Sequence, residues 1–226
     1  MVRTFILPEN IETDGVCLVI DVLRATSTIV TALSNGALLV KPVEKIEEAI
    51  NMKEKDLLLC GERNGLKIEG FDLGNSPLEY KKEIVKGKKI VLTTTNGTKA
   101  IKLLKASKII AVSFLNVSFA VNAVKNFEEI NIVCSGTNGK FSLEDFLLSG
   151  LIVKLLNRKD IDDASKVAMR YYESVENVES EIRKSSHAQR LINLGFEKDI
   201  IFCSQIDLFN TVPILKNDAF IATNSD

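Results

Sequence analysis

The sequence has no tryptophan and only one histidine, His187, among its 226 residues. A single imidazole excludes every mechanism that needs two, and we expect His187 to be an ordinary surface residue. Aromatic residues make up only 6% of the chain, and the net charge is −1 at pH 7. Few aromatic rings and no basic excess argue against a nucleic-acid partner. An anionic ligand would therefore need local positive groups.

The chain also has only four cysteines, and no two of them are close in sequence, which excludes the spacing of a zinc ribbon. We interpret them as buried, inert thiols; they are Cys17, Cys60, Cys134 and Cys203. No apolar run reaches the length of about 18 residues that a membrane helix needs, and the first residues hold no long apolar signal segment. We therefore expect a cytoplasmic protein without a membrane partner. A homodimer stays open.

Several signatures of known phosphate-handling proteins are missing as well. No cysteine is followed six residues later by arginine, which excludes the loop of cysteine phosphatases. Asp21 is followed at the second position by Leu23, so the paired aspartates of haloacid-dehalogenase phosphatases are absent. There is no phosphate loop ending in Gly-Lys-Ser or Gly-Lys-Thr, and no Gly-x-Gly-x-x-Gly turn.

Short apolar runs alternate with helical patterns along most of the chain. The predicted strands are 16–20, 38–41, 57–60, 89–93, 109–113 and 130–134. The predicted helices are 25–33, 44–54, 76–87, 98–105, 117–126 and 142–157, and the third begins with a capping box at Ser76. After residue 158 the pattern is helical, with a candidate strand at 200–204 and a closing hairpin at 212–215 and 219–222. The alternation predicts a three-layer α/β/α sandwich with a mainly parallel or mixed sheet, in a single domain over residues 1–226.

Two turns repeat the same three residues. Thr95-Asn96-Gly97 follows the predicted strand at 89–93, and Thr137-Asn138-Gly139 follows the one at 130–134. Both turns precede a predicted helix. Because so short a match arises easily, an internal duplication into two intertwined halves, with a boundary near 110–130, stays open.

Polar residues collect after four of the predicted strands, which is where ligands bind in open α/β sheets. The loops are 21–28, 61–65, 93–98 and 135–139. The third of them offers hydroxyl, amide and backbone donors at a helix N-terminus, which suits an anion. Arg24 and Arg63 can each bind a phosphate or sulfonate through two parallel N–H donors. The alternative is that these residues are helix caps and surface charges, but together they favour an anion pocket.

Carboxylates form the second part of this pattern. Asp21 directly follows an apolar strand, where an ionised group needs a partner. Magnesium prefers oxygen ligands and usually takes one or two carboxylates together with waters and substrate phosphate. The candidate metal ligands are Asp21, Glu62, Asp72, Glu144 and Asp145. For Glu144 and Asp145 the alternative is that they only complement the dipole of the helix that they begin.

At these loops the sequence resembles the 2-phosphosulfolactate phosphatase family, from about residue 15 to residue 216. The resemblance is carried by Asp21-Val22-Leu23-Arg24-Ala25-Thr26-Ser27-Thr28 and its continuation to 33, by 61–63, 68–80, 92–98 and 136–145, and by His187, 194–196 and Val212-Pro213. Asn64 and Asn138 depart from the family pattern, in which Gly and Asp are common at these places. Asn138 therefore argues against a third carboxylate in its turn.

The resemblance implies a phosphomonoesterase that uses Mg²⁺ and converts 2-phosphosulfolactate to 3-sulfolactate and phosphate, a step leading toward coenzyme M. It implies catalytic roles for Asp21, Arg24 and Glu144, with Asp21 either binding metal or attacking phosphorus itself. The residues expected to bind substrate are Arg24, Thr26, Ser27, Arg63, Ser76, Thr94, Thr95, Asn96 and Thr98, of which Arg63 would hold the sulfonate or carboxylate. Two alternatives stay open: a phosphatase of the same fold acting on another small phospho-acid, and a non-catalytic protein that binds such an acid.

Overall fold

The computed structural model describes residues 1–224, which form one mixed sheet with helices on both of its faces. The ten strands of this part of the chain are β1 (Val2–Phe5), β2 (Ile11–Ile20), β3 (Leu39–Val43), β4 (Leu57–Arg63), β5 (Leu66–Lys67), β6 (Lys89–Thr93), β7 (Leu104–Val112), β8 (Ile130–Cys134), β9 (Thr211–Lys216) and β10 (Ala219–Asn224). The helices are α1 (Ala25–Ser34), α2 (Ile46–Asn51), α3 (Lys82–Val85), α4 (Gly97–Lys102), α5 (Val117–Val124), α6 (Leu143–Leu156), α7 (Asp163–Glu173), α8 (Val178–Arg183), α9 (Ser186–Asn193) and α10 (Glu197–Cys203). The predicted α/β class with a mixed sheet is confirmed. Within the described residues, no helix combines the length and the apolar character needed to cross a membrane.

The sheet contains two groups of parallel strands joined by an antiparallel hairpin. Its strand order is β1-β8-β2-β7-β9-β10-β3-β6-β4-β5. Strands β1, β8, β2 and β7 run parallel to one another, and β3, β6 and β4 form the second parallel group. The β9–β10 hairpin pairs antiparallel with β7 on one side and with β3 on the other. Each antiparallel pairing reverses the strand direction, and three of them separate β7 from β3, so the two parallel groups point in opposite directions.

Helix α1 lies at the centre of the molecule, and all of its residues from Ala25 to Leu33 are buried. It packs on β7, β9, β10 and β3, and it also contacts α4. Because sheets twist by about 20–25° per strand, the two parallel groups are turned strongly against each other around this helix. Gly97, which follows β6, consequently lies against Asp21 and Ala25, which follow β2. The carboxyl ends of the two groups thus meet beside the first turn of α1.

The apolar side chains of the strands alternate between the two faces of the sheet, as the twofold period of a strand requires. In β2, Leu18 packs into the core beneath α5 and α6, whereas Cys17 and Val19 pack into the core around α1. All four cysteines are free and buried, and burial raises the pKa of each; the pKa values of Cys17, Cys60 and Cys203 reach about 12. The prediction that the cysteines are buried is confirmed. Thiols with so high a pKa stay protonated at neutral pH, and their lack of reactivity stays a prediction.

The predicted strand at 200–204 is wrong, because this segment belongs to helix α10. The run Ile200-Ile201-Phe202-Cys203 is apolar throughout and too short for its period to separate a strand from a helix. In the structure Ile200 and Cys203, three residues apart, are buried while Ile201 is exposed. That spacing is the pattern of a helix with one buried face.

The predicted helix at 76–87 is broken in the structure. Pro77–Glu79 forms a 3₁₀ turn, and only Lys82–Val85 is α-helical. Ser76 makes no side-chain capping bond, so the predicted capping box is wrong. Its hydroxyl instead donates a hydrogen bond of 2.6 Å to Asp199, a residue far away in sequence.

The other differences concern the ends of elements and strands that the sequence did not predict. Helix α4 ends at Lys102 rather than at 105, because β7 begins at Leu104 and pairs with β2 over most of its length. Strand β1 and the first half of β2 lack the continuous apolar run that marks the other strands, and the sequence did not predict them. The closing hairpin predicted at 212–215 and 219–222 is confirmed as β9 and β10.

Helices α6 and α7 cross at Gly150, where a Cβ atom would overlap the backbone carbonyl oxygen of Ala168. We expect Gly150→Ala to lower the free energy of unfolding by about 1–2 kcal/mol, because overpacking of the crossing outweighs the roughly 1 kcal/mol gained in helix propensity. Urea unfolding followed by circular dichroism measures the change. Leu155→Ala, on the exposed side of α6, is the matched control and should alter stability little. An unchanged unfolding midpoint for Gly150→Ala would contradict this close packing.

Candidate active site

The candidate active site begins at Asp21, the first residue after β2. Its side chain is buried, and its Oδ1 accepts a hydrogen bond from the backbone N–H of Ala25 at 3.2 Å. Its Oδ2 lies against Gly97 at the start of α4, where a Cβ atom would come within 2.6 Å of it. The hydroxyl of Thr26 donates to the carbonyl oxygen of Asp21 at 2.9 Å and closes the turn. The start of α1 therefore fixes the direction of the Asp21 carboxylate.

Asp21 lines a narrow cleft that opens to solvent. The lining residues are Asp21, Leu23, Arg24, Glu62, Asn64, Gly65, Asn75, Thr94, Thr95, Asn96, Thr137, Asn138, His187 and Arg190. All four polar loops that the sequence placed after strands thus contribute to one cleft.

Glu62, near the carboxyl end of β4, holds two of these loops together. Its Oε1 accepts the backbone N–H of Thr95 at 2.7 Å, and its Oε2 accepts the backbone N–H of Gly65 at 2.7 Å. The side chain itself is buried. The hydroxyl oxygen of Thr95 is also buried and has no hydrogen-bond partner within residues 1–224. Glu62 therefore fixes the turn at 93–98, which is called the threonine-rich turn below. It leaves the hydroxyl of Thr95 available for a ligand.

Asp145 holds the ends of β2 and β8 together in the same way. Its Oδ1 accepts the backbone N–H of Val22 at 2.9 Å, and its Oδ2 accepts the backbone N–H of Gly136 at 3.2 Å. The preceding residue, Glu144, is equally buried, but its Oε2 has no hydrogen-bond partner in the described part of the chain. A buried carboxylate oxygen without a partner is costly, so Glu144 is the residue that most needs a cation or a bound donor.

These four acidic side chains, Asp21, Glu62, Glu144 and Asp145, are called the carboxylate cluster below. Burial is the main cause that raises the pKa of Asp21 to about 7; the charges of Glu62 and Glu144 act in the same direction, and the Ala25 N–H acts against it. Burial also raises the pKa of Asp145 well above its ordinary value, with contributions from the charges of Asp21 and Glu144. The cluster thus concentrates more negative charge than its surroundings neutralise, and a bound cation would relieve this.

The oxygen donors of the cluster fit Mg²⁺, although they do not form a closed cage. Within residues 1–224, no three Asp, Glu, His or Cys side chains converge as a ready-made metal site. Magnesium does not need one, because it commonly takes one or two carboxylates and completes its shell with water and substrate phosphate. Asp72, the fifth candidate ligand, is exposed, lies outside the cleft and accepts the backbone N–H of Leu59 at 2.8 Å.

Arg24 forms a buried ion pair with Asp199, and Nη1 lies 2.6 Å from the carboxylate. Its Nη2 donates to the carbonyl oxygen of Gly65 at 2.8 Å, and its guanidinium stacks 4.3 Å from the ring centroid of Phe196. The hydroxyl of Ser76 donates to the other oxygen of Asp199. Arg24 and Ser76 therefore have protein partners at the wall of the cleft, and their roles in substrate binding stay predictions.

The other predicted anion-binding residues divide into two sets. Thr94, Thr95 and Asn96 line the cleft. The buried hydroxyls of Thr26, Ser27 and Thr98 donate instead to the backbone carbonyl oxygens of Asp21, Val22 and Thr94. Asn96 also accepts the backbone N–H of Asn138 at 2.9 Å, so the two Thr-Asn-Gly turns contact each other.

Arg63 lies beside the cleft rather than in it. It borders an adjoining depression together with Thr94, Thr95 and Lys99. Its Nη1 donates to the carbonyl oxygen of Glu62 at 2.7 Å, and its Nη2 donates to the carbonyl oxygen of Glu44 at 2.7 Å. The guanidinium thus joins β4 to the start of α2.

His187 and Arg190 are the lining residues that sequence reasoning missed most clearly. His187 is half-buried rather than a plain surface residue, and its Nε2 lies 2.8 Å from the carbonyl oxygen of Leu23. A carbonyl oxygen only accepts, which assigns the ring proton to Nε2 and leaves Nδ1 as an acceptor, buried without a partner in residues 1–224. Burial lowers the pKa of His187. The spacing of three residues, which puts His187 and Arg190 on one face of α9, was the only available signal.

Comparison with known proteins points to one family. The family described as 2-phosphosulpholactate phosphatase matches residues 5–218. The proteins named probable 2-phosphosulfolactate phosphatase in Thermotoga petrophila and Thermotoga maritima are each 62% identical to this chain over 205 residues, or 90% of either sequence. The protein of the same name in Pseudothermotoga lettingae is 46% identical over 223 residues, or 98% of either sequence. With a match over nearly its whole length, the chain belongs to the 2-phosphosulpholactate phosphatase family.

Proposed function

We propose that the protein is a Mg²⁺-dependent phosphatase that hydrolyses 2-phosphosulfolactate to 3-sulfolactate and inorganic phosphate. The observation that carries the proposal is the carboxylate cluster beside a cleft lined by all four polar loops, in a chain of this family. The substrate is an anion, and buried carboxylates repel an anion unless a cation lies between them. The cluster therefore favours metal-assisted phosphate chemistry over simple binding of a phospho-acid.

The residues that would hold the metal are Asp21 and Glu144. Within residues 1–224, Glu144 has a buried oxygen without a partner, and burial and neighbouring carboxylates disfavour the charged form of Asp21 unless a cation is bound. A bound Mg²⁺ supplies Lewis-acid stabilisation of the charge on the phosphoryl oxygens. Glu62 and Asp145 are already occupied by backbone N–H groups, so their role is to hold the loops of the cleft in place.

The threonine-rich turn would bind the phosphoryl group. Thr94, Thr95 and Asn96 line the cleft, and the hydroxyl of Thr95 has no protein partner in the described residues. Over the whole hydrolysis, the bond between phosphorus and the ester oxygen breaks and the oxygen of a water molecule replaces it on phosphorus. One proton of that water ends on the ester oxygen and the other stays with the phosphate. Asp21 is fixed by Ala25 on one oxygen, which suits a carboxylate that must keep one orientation while charge develops nearby.

A panel of phospho-acids tests the identity of the substrate. We expect the highest kcat/KM for 2-phosphosulfolactate and lower values for 2-phosphoglycolate, 2-phospholactate and 2-phosphoglycerate, assayed as phosphate release. A clear preference for another acid would keep the phosphatase and replace the substrate. Absence of phosphate release from every member, with retained binding of 2-phosphosulfolactate, would instead support the non-catalytic alternative.

Three further predictions concern the site, and the first of these concerns the metal. Activity should disappear in EDTA and return with Mg²⁺, and Mg²⁺ should raise the melting temperature because it binds only the folded carboxylate cluster. The melting temperature provides a readout that does not depend on turnover. Full activity in chelator, or a melting temperature indifferent to Mg²⁺, would contradict the metal-dependent mechanism.

The second prediction concerns Asp21. Asp21→Asn preserves the shape of the side chain and should lower kcat by a factor of about 10³ or more, a loss typical of a catalytic group. In chelator the variant should melt at the same or a higher temperature than the wild type, because it removes repulsion with Glu62 and Glu144. It should also lose the Mg²⁺-induced rise in melting temperature.

Asp72→Asn is the matched comparison, since Asp72 is exposed and outside the cleft. We expect it to keep wild-type turnover and the response to Mg²⁺. A folded and fully active Asp21→Asn protein would remove Asp21 from the site.

The third prediction concerns Arg24. Arg24→Lys keeps the charge but cannot contact Asp199 and Gly65 together, so we expect a loss of about 1–3 kcal/mol in stability and at least a tenfold loss in kcat/KM. Asp199→Asn separates the two possible roles. If Arg24 acts by holding the cleft wall, both variants lose activity; if it binds phosphate directly, Asp199→Asn retains most of it. Activity of Arg24→Lys within about twofold of wild type would contradict both roles.

A further inference from the structure

A second cleft adjoins the first and differs from it in charge. The two share four lining residues, among them His187 and Arg190. The first cleft is lined by two acidic side chains, Asp21 and Glu62, and by Arg24 and Arg190, of which Arg24 is paired with Asp199. The second cleft is lined by three basic side chains, Lys140, Lys184 and Arg190, and by one acidic side chain, Glu144. A ligand lying across the junction would therefore meet an acidic side with Asp21 and Glu62 and a basic side where two lysines accompany Glu144, and Arg190 borders both.

The three arginines around these clefts differ in how many of their donors are free. Arg24 uses both terminal nitrogens on Asp199 and Gly65, and Arg63 uses both of its own on backbone carbonyl oxygens. Arg190 is exposed, and within residues 1–224 its guanidinium makes one hydrogen bond, from Nη2 to the carbonyl oxygen of Asn64 at 3.1 Å. A guanidinium has five N–H donors, so Arg190 keeps most of them for a ligand.

The two lysines are less suited to the junction than Arg190. Lys184 lies 2.6 Å from Glu181 in an ion pair, and both lysines border only the second cleft. Arg190 borders both clefts, and its contact with Asn64 ties it to the turn that follows Glu62. A planar guanidinium also matches a carboxylate or sulfonate with two parallel donors, which an ammonium group cannot do.

We propose that Arg190 binds an anionic group of the substrate other than the phosphate, that is, its sulfonate or its carboxylate. The inference rests on the proposed function, since it takes the phosphate to lie at the carboxylate cluster. With the phosphoryl group at the acidic side, the rest of the acid reaches the junction, where Arg190 is the cation with free donors in both clefts. Arg190 is then the residue that makes a second negative charge a requirement for good substrates.

The test compares the binding of the two products by calorimetry in the presence of Mg²⁺. Arg190→Gln should weaken 3-sulfolactate by about 10- to 100-fold, the effect of losing a charged hydrogen-bonded pair, and leave inorganic phosphate unchanged. Arg190→Lys should fall between wild type and Arg190→Gln. Arg170→Gln, an exposed arginine on α7 away from both clefts, makes the same charge change and should bind both products as the wild type does.

Substrate analogues identify which anion Arg190 contacts. A loss of kcat/KM for Arg190→Gln with 2-phosphosulfolactate but not with 2-phospholactate, which lacks the sulfonate, assigns the sulfonate. Equal losses with both assign the carboxylate. Unchanged binding of 3-sulfolactate, or an equal loss for inorganic phosphate, would overturn the proposal. Wild-type protein that binds 3-sulfolactate but does not hydrolyse 2-phosphosulfolactate would refute the proposed function and leave the result for Arg190 standing.

Discussion

The antiparallel β9–β10 hairpin sets the geometry on which the rest of the molecule depends, because it joins two parallel strand groups that run in opposite directions. In a flat sheet the loops after β2 and β8 would leave one edge and those after β4 and β6 the other. Twist accumulated around the buried helix α1 brings them together instead. The contact between Gly97 and Asp21 is the direct product of that arrangement, and it leaves no space for a side chain at position 97.

Negative charge collects where the carboxyl ends of the two strand groups meet. Two members of the carboxylate cluster have a structural role, and the other two are left open for chemistry. Glu62 and Asp145 each satisfy two backbone N–H groups from loops that would otherwise have unpaired donors at a buried corner. The other two carboxylates, Asp21 and Glu144, are less well compensated. The pKa of Asp21 is raised, and Oε2 of Glu144 has no hydrogen-bond partner within residues 1–224. In the proposed mechanism, loop positioning and Mg²⁺ binding are therefore coupled, since the carboxylates that shape the cleft also strengthen its negative field.

The sequence predicted the site best where a local rule sufficed. Polar loops after apolar strands identified Asp21, Glu62 and the threonine-rich turn, because strand ends and turn residues are visible within a few positions. Contacts between distant residues could not be predicted. From sequence alone, Arg24 is predicted to bind phosphate, but in the structure it pairs with Asp199, 175 residues away. Ser76 is predicted to cap a helix, but its hydroxyl donates to the same carboxylate. The prediction for 200–203 failed for a different reason: the apolar run is too short for its periodicity to distinguish a helix from a strand.

These contacts give different roles to the site residues from the early and late parts of the chain. The carboxylate cluster and the threonine-rich turn come from strand ends and from the start of α6, all before residue 146. Backbone N–H groups fix Asp21, Glu62 and Asp145. Arg190 comes from α9, is exposed, and is held by a single bond to Asn64. A replacement at Arg190 therefore disturbs few protein contacts, whereas a replacement at Glu62 or Asp145 releases two loops at once. If Arg190 binds the second anionic group as proposed, selection among small phospho-acids can change at α9 while the loops held by Glu62 and Asp145 stay intact.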